Sequence, residues 1–508
     1  MINYISERQL SIEEFKTPFQ TTLLSDNRWV VLSKIVPWDT FASSYISMMN
    51  TNTGRPGISP RIVLGALIIK HMEKLDDRGV IDAISENPYM QFFIGLKEFT
   101  PYPVFDPSLF VELRKRVGAD IFDLLNTKLI SAISKEKDQD PTDDTDDTQN
   151  PPVANKGKLQ LDATVADQYI TYPTDSKILN ECRKQCEGMI DKLYAKNNKQ
   201  GVKPRTYRRK MDAQFLTYSK KKNKSKAAYR KMNRKLLECV HRDLKHIDKL
   251  LNIFESDKKP FPLSYKEQKT LWVIHAVYMQ QKQMYDQKSN SCKDRIASVF
   301  QPHVRPIPRG KAKSKIEFGS KLGVSLDQGY ARIDTFSWDV YNESGDLIPQ
   351  VEHYKTLHGH YPELVQVDKI YATRENRKWL KERAIRITAA PLGRKSKELK
   401  EESYYKKRKR KKEATERNRI EGKFGQGKNG YNLNQIRATL QKTSESWIAT
   451  IFFVMNLMHH QKNVYIKTIS ALPYDLICLM ERFLAQLTTL TKISMQKTDN
   501  RKNFSIQN

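Results

Sequence analysis

The sequence predicts an α/β protein in which a mixed sheet is flanked by helices, with a helical domain before the sheet and a basic helical insertion after its first strand. Three observations carry this. Short strand patterns alternate with helical ones through the second half of the chain. The first quarter shows helical spacing of apolar residues without strand alternation. A long basic stretch from about Asp175 to Gln287 reads as helix throughout and separates the first strand from the rest.

Size and charge bound the possibilities. At 508 residues the chain exceeds what one hydrophobic core usually supports, so two or three compact units are expected. Its 88 Lys and Arg against 58 Asp and Glu give a formal charge of +30, which points to a polyanionic partner, nucleic acid first and a membrane surface second. No stretch approaches the roughly 20 apolar residues needed to span a bilayer. The longest apolar run, Ile451 to Met458, is interrupted by Asn456 and is expected to be core packing. The N-terminus alternates charged and apolar residues without a secretory core, so a cytoplasmic, nucleoid-associated protein is expected. Cys182, Cys186, Cys239, Cys292 and Cys478 form neither a disulfide framework nor a paired C-x-x-C, and no structural zinc is expected.

Residues 1–134 are expected to form the helical domain. Its clearest helix runs from Ser59 to Met72, with Ser59 as cap, Pro60 in the first turn, and Ile62, Leu64, Leu67, Ile68 and Met72 at helical spacing. Helices from Asp77 and from Pro107 to Arg116 follow, and three short helices in a small basic-edged unit read either as a DNA-reading domain or as the commoner helical bundle without that role. Residues 135–158 are poor in apolar side chains and rich in Asp, Thr, Asn and Pro, the composition of a flexible acidic linker.

A catalytic domain is expected over 159–463, with a basic helical insertion over 175–290 and a helical extension and tail over 464–508. In the strand Leu159 to Val165, Leu159, Leu161, Ala163 and Val165 share one face and Asp162 projects from the other. After the insertion, Ile316 to Leu326 and Tyr330 to Trp338 read as an antiparallel hairpin about the turn Asp327-Gln328-Gly329. A helix from Leu347 to Tyr354, a strand from Leu364 to Asp368, a helix from Arg374 to Glu382 and a strand from Ala384 to Thr388 follow. A basic loop, Arg394 to Lys412, leads to a helical region that carries Glu421 and reaches about His460. The succession, the insertion aside, is that of a ribonuclease-H-like mixed sheet.

Among so many acids, position selects. Asp162 lies mid-strand and Asp368 ends a strand, so the two can lie side by side on neighbouring strands. Glu421 shares a helix face with Arg417 and Lys428, all within about 40° at 100° per residue. A bland alternative stands beside each: a strand-end carboxylate for Asp162, an exposed i,i+4 ion pair for Arg417 and Glu421. The glycines Gly422, Gly425 and Gly427 weigh against the second, since each costs a helix up to about 1 kcal/mol relative to Ala. Acidic oxygens are the natural ligands of Mg²⁺, and a pair of such ions suits chemistry at a phosphodiester. Lys406 to Lys412 is seven consecutive bases, either a solvated run or a DNA contact, and Lys406, Lys407 and Arg408 are carried as DNA-binding candidates. His358 and His360 lack further ligands, and His303 is expected to be structural.

These residues resemble the bacterial insertion-sequence transposases of the DDE superfamily, in the group with a helical N-terminal transposase domain. The resemblance covers about Gly54 to Leu457 and rests on Gly54 to Leu96, LDATVADQYITYPTD (Leu161 to Asp175), Arg309 to Leu326, VDKIYATRENRKWLKERAIRI (Val367 to Ile387), Ala390 to Arg394 and ERNRIEGKFGQGK (Glu416 to Lys428). It implies that Asp162, Asp368 and Glu421 are the catalytic and metal-holding acids, that Mg²⁺ or Mn²⁺ is the cofactor, and that the substrates are double-stranded terminal inverted repeats and target DNA. It further implies strand cleavage followed by transfer of the 3′-hydroxyl, phosphate contacts from Arg417 and Lys428, and weaker strand contacts from Asn376 and Arg377. A tyrosine often found three residues before the arginine is replaced by Ala414. A homodimer on DNA and no membrane partner are expected. The rivals are a metal-dependent nuclease without strand transfer and an inactive DNA-binding regulator.

Overall fold

The computed structural model describes residues 14–17, 21–47, 57–138, 155–199, 201–308, 316–389 and 403–470, with side chains left out at 132–138 and 465–470. Most of the expected linker, the motif Ala390 to Arg394, the start of the basic loop, Cys478 and the tail beyond 470 lie outside the described residues.

Six strands make one sheet: β1 (Lys158–Asp167), β2 (Arg305–Pro308), β3 (Ile316–Asp327), β4 (Tyr330–Ser337), β5 (Leu364–Gln366) and β6 (Arg386–Ile387). β3 borders β1 antiparallel on one side and β2, then β4, antiparallel on the other. β5 joins the far edge of β1 in parallel, and β6 joins β5 in parallel. The hairpin turn works because Gln328 and Gly329 both take positive φ, 48° and 90°. At Gly329 a Cβ would stand 2.3 Å from the His459 ring, so the position excludes any other residue.

Alternation on β1 sorts its side chains into two cores. Leu159 and Leu161 pack with Leu347, Val351, Val365, Val367 and Tyr371 beneath the helix Leu347–His358. Ala166 packs on the other face with Leu322, Val324, Ile420, Phe424 and the helix Gln441–Ser470. Both faces are therefore covered, and Leu161→Ala would cost about 2–5 kcal/mol.

Seven helices precede β1 among the described residues, where three were expected. Arg28–Ile35 and Trp38–Ile46 were missed, and Pro60–Met72 is buried on almost every side, Arg61, Lys70 and His71 included, which blurs its period. Ser59 stands at its N-cap without a side-chain capping bond. These helices share one core with the last helix through Ala449, Phe453, Val454 and Leu457. Asn456, the polar break in that apolar run, donates to the Ala331 carbonyl and Asn126 Oδ1 and accepts from Ala331 N–H, tying the last helix to β4 and to the helix Ala119–Asp138.

Two expectations change. The seven bases from Lys406 lie on a helix, Tyr404–Glu416, capped by Ser403, because Lys and Arg are good helix formers once a cap starts the turn. Helix Ala119–Asp138 runs into the segment expected to be linker. The insertion is helical as expected: Asp175–Lys196, Arg208–Lys220, Lys226–Ser256 and Tyr265–Asp286. Its Cys182 and Cys186 are free and buried in its core. No helix among the described residues is long and apolar enough to cross a membrane.

Candidate active site

The site begins with strand register. Lys158 pairs with Leu364 and Gln160 with Gln366, where the ladder ends; Asp162 follows two residues on along β1, and Asp368, expected to end a strand, follows two residues past the end of β5 as the cap of a 3-10 turn. The side chains of Gln160 and Gln366 meet at 2.7 Å, so they share a face, and alternation puts Asp162 on it too. Gln160 donates to the Glu416 carbonyl at 2.9 Å and Gln366 to the Glu413 carbonyl at 2.7 Å. These bonds satisfy the orphan end of the basic helix and fix where the next helix, Asn418–Gly430, begins.

Arg417 is the junction between those helices. Its guanidinium lies 3.6 Å from Asp162 Oδ2 and donates to Glu421 Oε1 at 2.9 Å. One cation thus joins the first and third of the expected acids. Asp162 is four-fifths buried at its side chain and accepts from the Ala163 N–H at 2.8 Å. Burial pushes its carboxyl up to about 6; the Ala163 N–H and Arg417 pull it down, while Glu343 and Glu421 add to the rise. Asp368 is exposed, and its carboxylate accepts from the Lys369 N–H at 2.7 Å at the start of a short 3-10 turn. Among the described residues no three His, Cys, Asp or Glu side chains stand close enough together to hold a metal ion. Arg417 links Asp162 to Glu421, and the three acids are not converged.

The other expected site residues separate into groups. Lys428 reaches Asp167 and Glu317, each at 3.5 Å, along the same helix face as Arg417 and Glu421. Asn376 is buried, and its amide donates to the Ser344 and Tyr371 carbonyls at 2.7 and 2.8 Å, which holds the turn after Asp368. Arg377 donates to the Ala372 and Ala389 carbonyls. Lys406, Lys407 and Arg408 are exposed on the basic helix. Tyr404 and Tyr405 are 80% and 76% exposed and stand outside the site, so neither fills the place left by Ala414. His358 lies 2.9 Å from Asp327, an ion-pair distance and no metal set. His303 packs edge-on against Trp338, and burial pushes its imidazole down to about 4.

Sequence reasoning missed Glu343, which reaches Asp162 through its charge and pairs with Lys321 at 2.7 Å. It missed Tyr371, fully buried, whose hydroxyl has no partner and whose ionisation is opposed first by burial and then by the charges of Glu343 and Asp162. Gln160 and Gln366 were also missed, although a signal exists. Each stands two residues before a candidate Asp, Gln160-Leu161-Asp162 and Gln366-Val367-Asp368, a doubled Gln-apolar-Asp that marks two strands side by side.

Comparison with known proteins adds an independent line. The family model described as transposase DDE domain matches residues 365–458, a span that takes in Asp368 and Glu421. The model described as transposase domain (DUF772) matches residues 19–116, the N-terminal helices. The chain is also 29% identical over 150 residues to a Rhizobium meliloti protein described as uncharacterized protein ORF8 in nfe locus. That alignment covers 29% of this chain and 66% of the relative, just under two thirds of the relative's length.

Proposed function

We propose that this chain is a DNA transposase that cleaves the ends of an insertion sequence and transfers the freed 3′-hydroxyls to target DNA at Asp162, Asp368 and Glu421, a reading that the two domain matches support. The observation that carries the reading is that Arg417 bridges Asp162 to Glu421, while Asp162 and Asp368 each follow by two residues the last paired position of two neighbouring parallel strands. Four strands joined by antiparallel pairing and continued by two parallel ones, with helices on both faces, support a ribonuclease-H-like core. On this reading residues 1–134 serve as the DNA-reading unit and 159–463 as the catalytic one.

The donor set fits a hard divalent cation, Mg²⁺ or Mn²⁺. It is all carboxylate oxygen, and the charges of Glu343 and Glu421 reach the mostly buried Asp162, so a divalent cation drawn in among these acids would be favoured. Asp162, Asp368 and Glu421 would hold the ions, which when bound activate the attacking oxygen and stabilise the leaving one. The chain's own groups do the rest. Arg417 offsets part of the burial that disfavours the Asp162 carboxylate and pairs with Glu421 at 2.9 Å. Lys428 and the basic helix present charge to DNA phosphates, which positions the strand without reading its sequence. Two element ends must be brought together, and a DNA-bound homodimer is the simplest closed arrangement.

The test uses the full chain, terminal-repeat DNA and Mg²⁺ or Mn²⁺. The expected result is cleavage and joined products, both lost in Asp162→Ala while DNA binding is kept. A variant that still cuts refutes the assignment of Asp162. A wild type that cuts without joining is a nuclease, and one that binds and never cuts is a regulator.

A further inference from the structure

The helix Asn418–Gly430 has a second polar face that the acid site does not use. At 100° per residue, Arg419, Gly422, Lys423 and Gln426 lie on one flank of its core stripe, and Arg417, Glu421 and Lys428 on the other. The first flank opens on a cavity of about 530 Å³, closed across from it by the start of β1 and the β3–β4 turn.

Lys423 is the unusual residue. It is 8% exposed, lines the cavity, and among the described residues has no ion pair and no hydrogen bond. A lysine side chain so largely buried without an ion pair is costly unless its ammonium meets an anion. Arg419, Lys158 and His459 line the same space. The one carboxylate in the lining, Glu416, is already paired with Lys158 at 2.7 Å. The Gln160 and Gln426 amides add neutral polar lining. A cavity with excess positive charge and a largely buried, unpaired lysine is built for a compact anion with several acceptor oxygens.

We propose that this cavity is a phosphate-binding site, separate from the three acids, in which Lys423 is the buried anchor and Arg419 the rim contact. The assignment to phosphate stands on the cavity itself. Only the choice of a DNA backbone phosphate over a free phosphorylated ligand rests on the proposed function.

Calorimetric titration of the full chain with inorganic phosphate, in EDTA so that cleavage is silent, tests it. Wild type and Asp162→Ala are expected to bind phosphate alike. Lys423→Met is expected to weaken binding at least about tenfold, the loss of one charge-assisted hydrogen bond, and Lys423→Arg to restore most of it. Because Lys423→Met removes an uncompensated charge, its melting temperature without phosphate is expected to equal or exceed that of wild type, which separates lost binding from lost folding. If the source is DNA, saturating duplex blocks phosphate uptake and Lys423→Met lowers duplex affinity. If the source is a free ligand, phosphate and duplex bind together. Either pattern upholds the site. Equal phosphate binding by wild type and Lys423→Met, or none by wild type, overturns it, and neither result bears on whether the protein cleaves DNA.

Discussion

Gln160 and Gln366 join side chain to side chain at 2.7 Å across β1 and β5, each two residues before a candidate acid, Asp162 and Asp368. Each also donates to a carbonyl at the end of the basic helix, so one buried pair sets both the strand register and the seat of the helix that leads to Arg417. Gln366→Leu would strand the Glu413 carbonyl and remove the partner of Gln160. The expected cost is about 1–3 kcal/mol, read as a lower urea midpoint. Gln160→Leu and Gln366→Leu together are expected to cost less than the two singles added, because they share a network. Strict additivity would show that the two amides act independently.

Asp162 is expected to trade stability for function. Burial puts its carboxyl at about 6, against an ordinary value of 3.8. A carboxyl raised in this way binds its proton more tightly in the folded chain. Its contribution is full below about pH 4 and is lost as pH rises through about 6. Asp162→Asn is therefore expected to stabilise the protein at pH 8 by up to about 2 kcal/mol, and by nearly nothing at pH 4. Denaturant titrations at the two pH values check it; a gain that ignores pH would mean that the ionised Asp162 carries no folding penalty.

The sheet was legible because its signals are local: alternation on β1, the Asp327-Gln328-Gly329 turn, and the cap and period of Arg374–Glu382, which the structure reproduces to the residue. Those signals placed Asp162 on its strand and Glu421 on its helix, whereas Asp368, expected to end a strand, lies two residues past β5 as the cap of a 3-10 turn. They did not show Arg417 between the first and third acids, because a contact at 3.6 Å from helix to strand has no period in the chain. The partnering of Lys70, Arg61 and His71 in the N-terminal helices was equally hidden, since a helix buried all round loses its polar face. Lys423 read as one more base in a basic segment, and only the fold reveals that it is buried.

One of those hidden clusters joins the two ends of the chain. Lys70 and Arg114, both nearly fully buried, converge on Asp77 at 2.5 and 2.7 Å, and Lys70 sits 3.6 Å above the Trp447 ring of the last helix. Burial pushes the Asp77 carboxyl up, but the Arg114 hydrogen bond and the Lys70 charge outweigh it and hold it at about 2. Its stabilisation is present above about pH 4 and lost as pH falls toward 2. Asp77→Asn leaves two buried cations facing each other and is expected to cost about 3–5 kcal/mol at neutral pH. Its acid-unfolding curve is expected to lose the step between pH 4 and 2. A melting temperature within about 2 °C of wild type would show that the cluster contributes little.

The basic helix gives the sharpest test of DNA contact, because its geometry divides the bases. Glu413 is buried and holds Arg386 at 3.1 Å, which fixes the side of the helix that faces the sheet. At 100° per residue Lys406 falls on that same side, whereas Lys407, Arg408 and Lys411 point away from it. Only the outward set can lie along a duplex that passes over the site. Each phosphate contact contributes about 0.9 to the slope of log affinity against log salt. Replacing Lys407, Arg408 and Lys411 by Gln is expected to reduce that slope by up to about 2.7, while Lys406→Gln alone leaves it nearly unchanged. Filter binding or fluorescence anisotropy on duplex DNA at several salt concentrations measures both. An unaltered slope in the triple variant would assign the whole run to solvent and move the DNA path to another face.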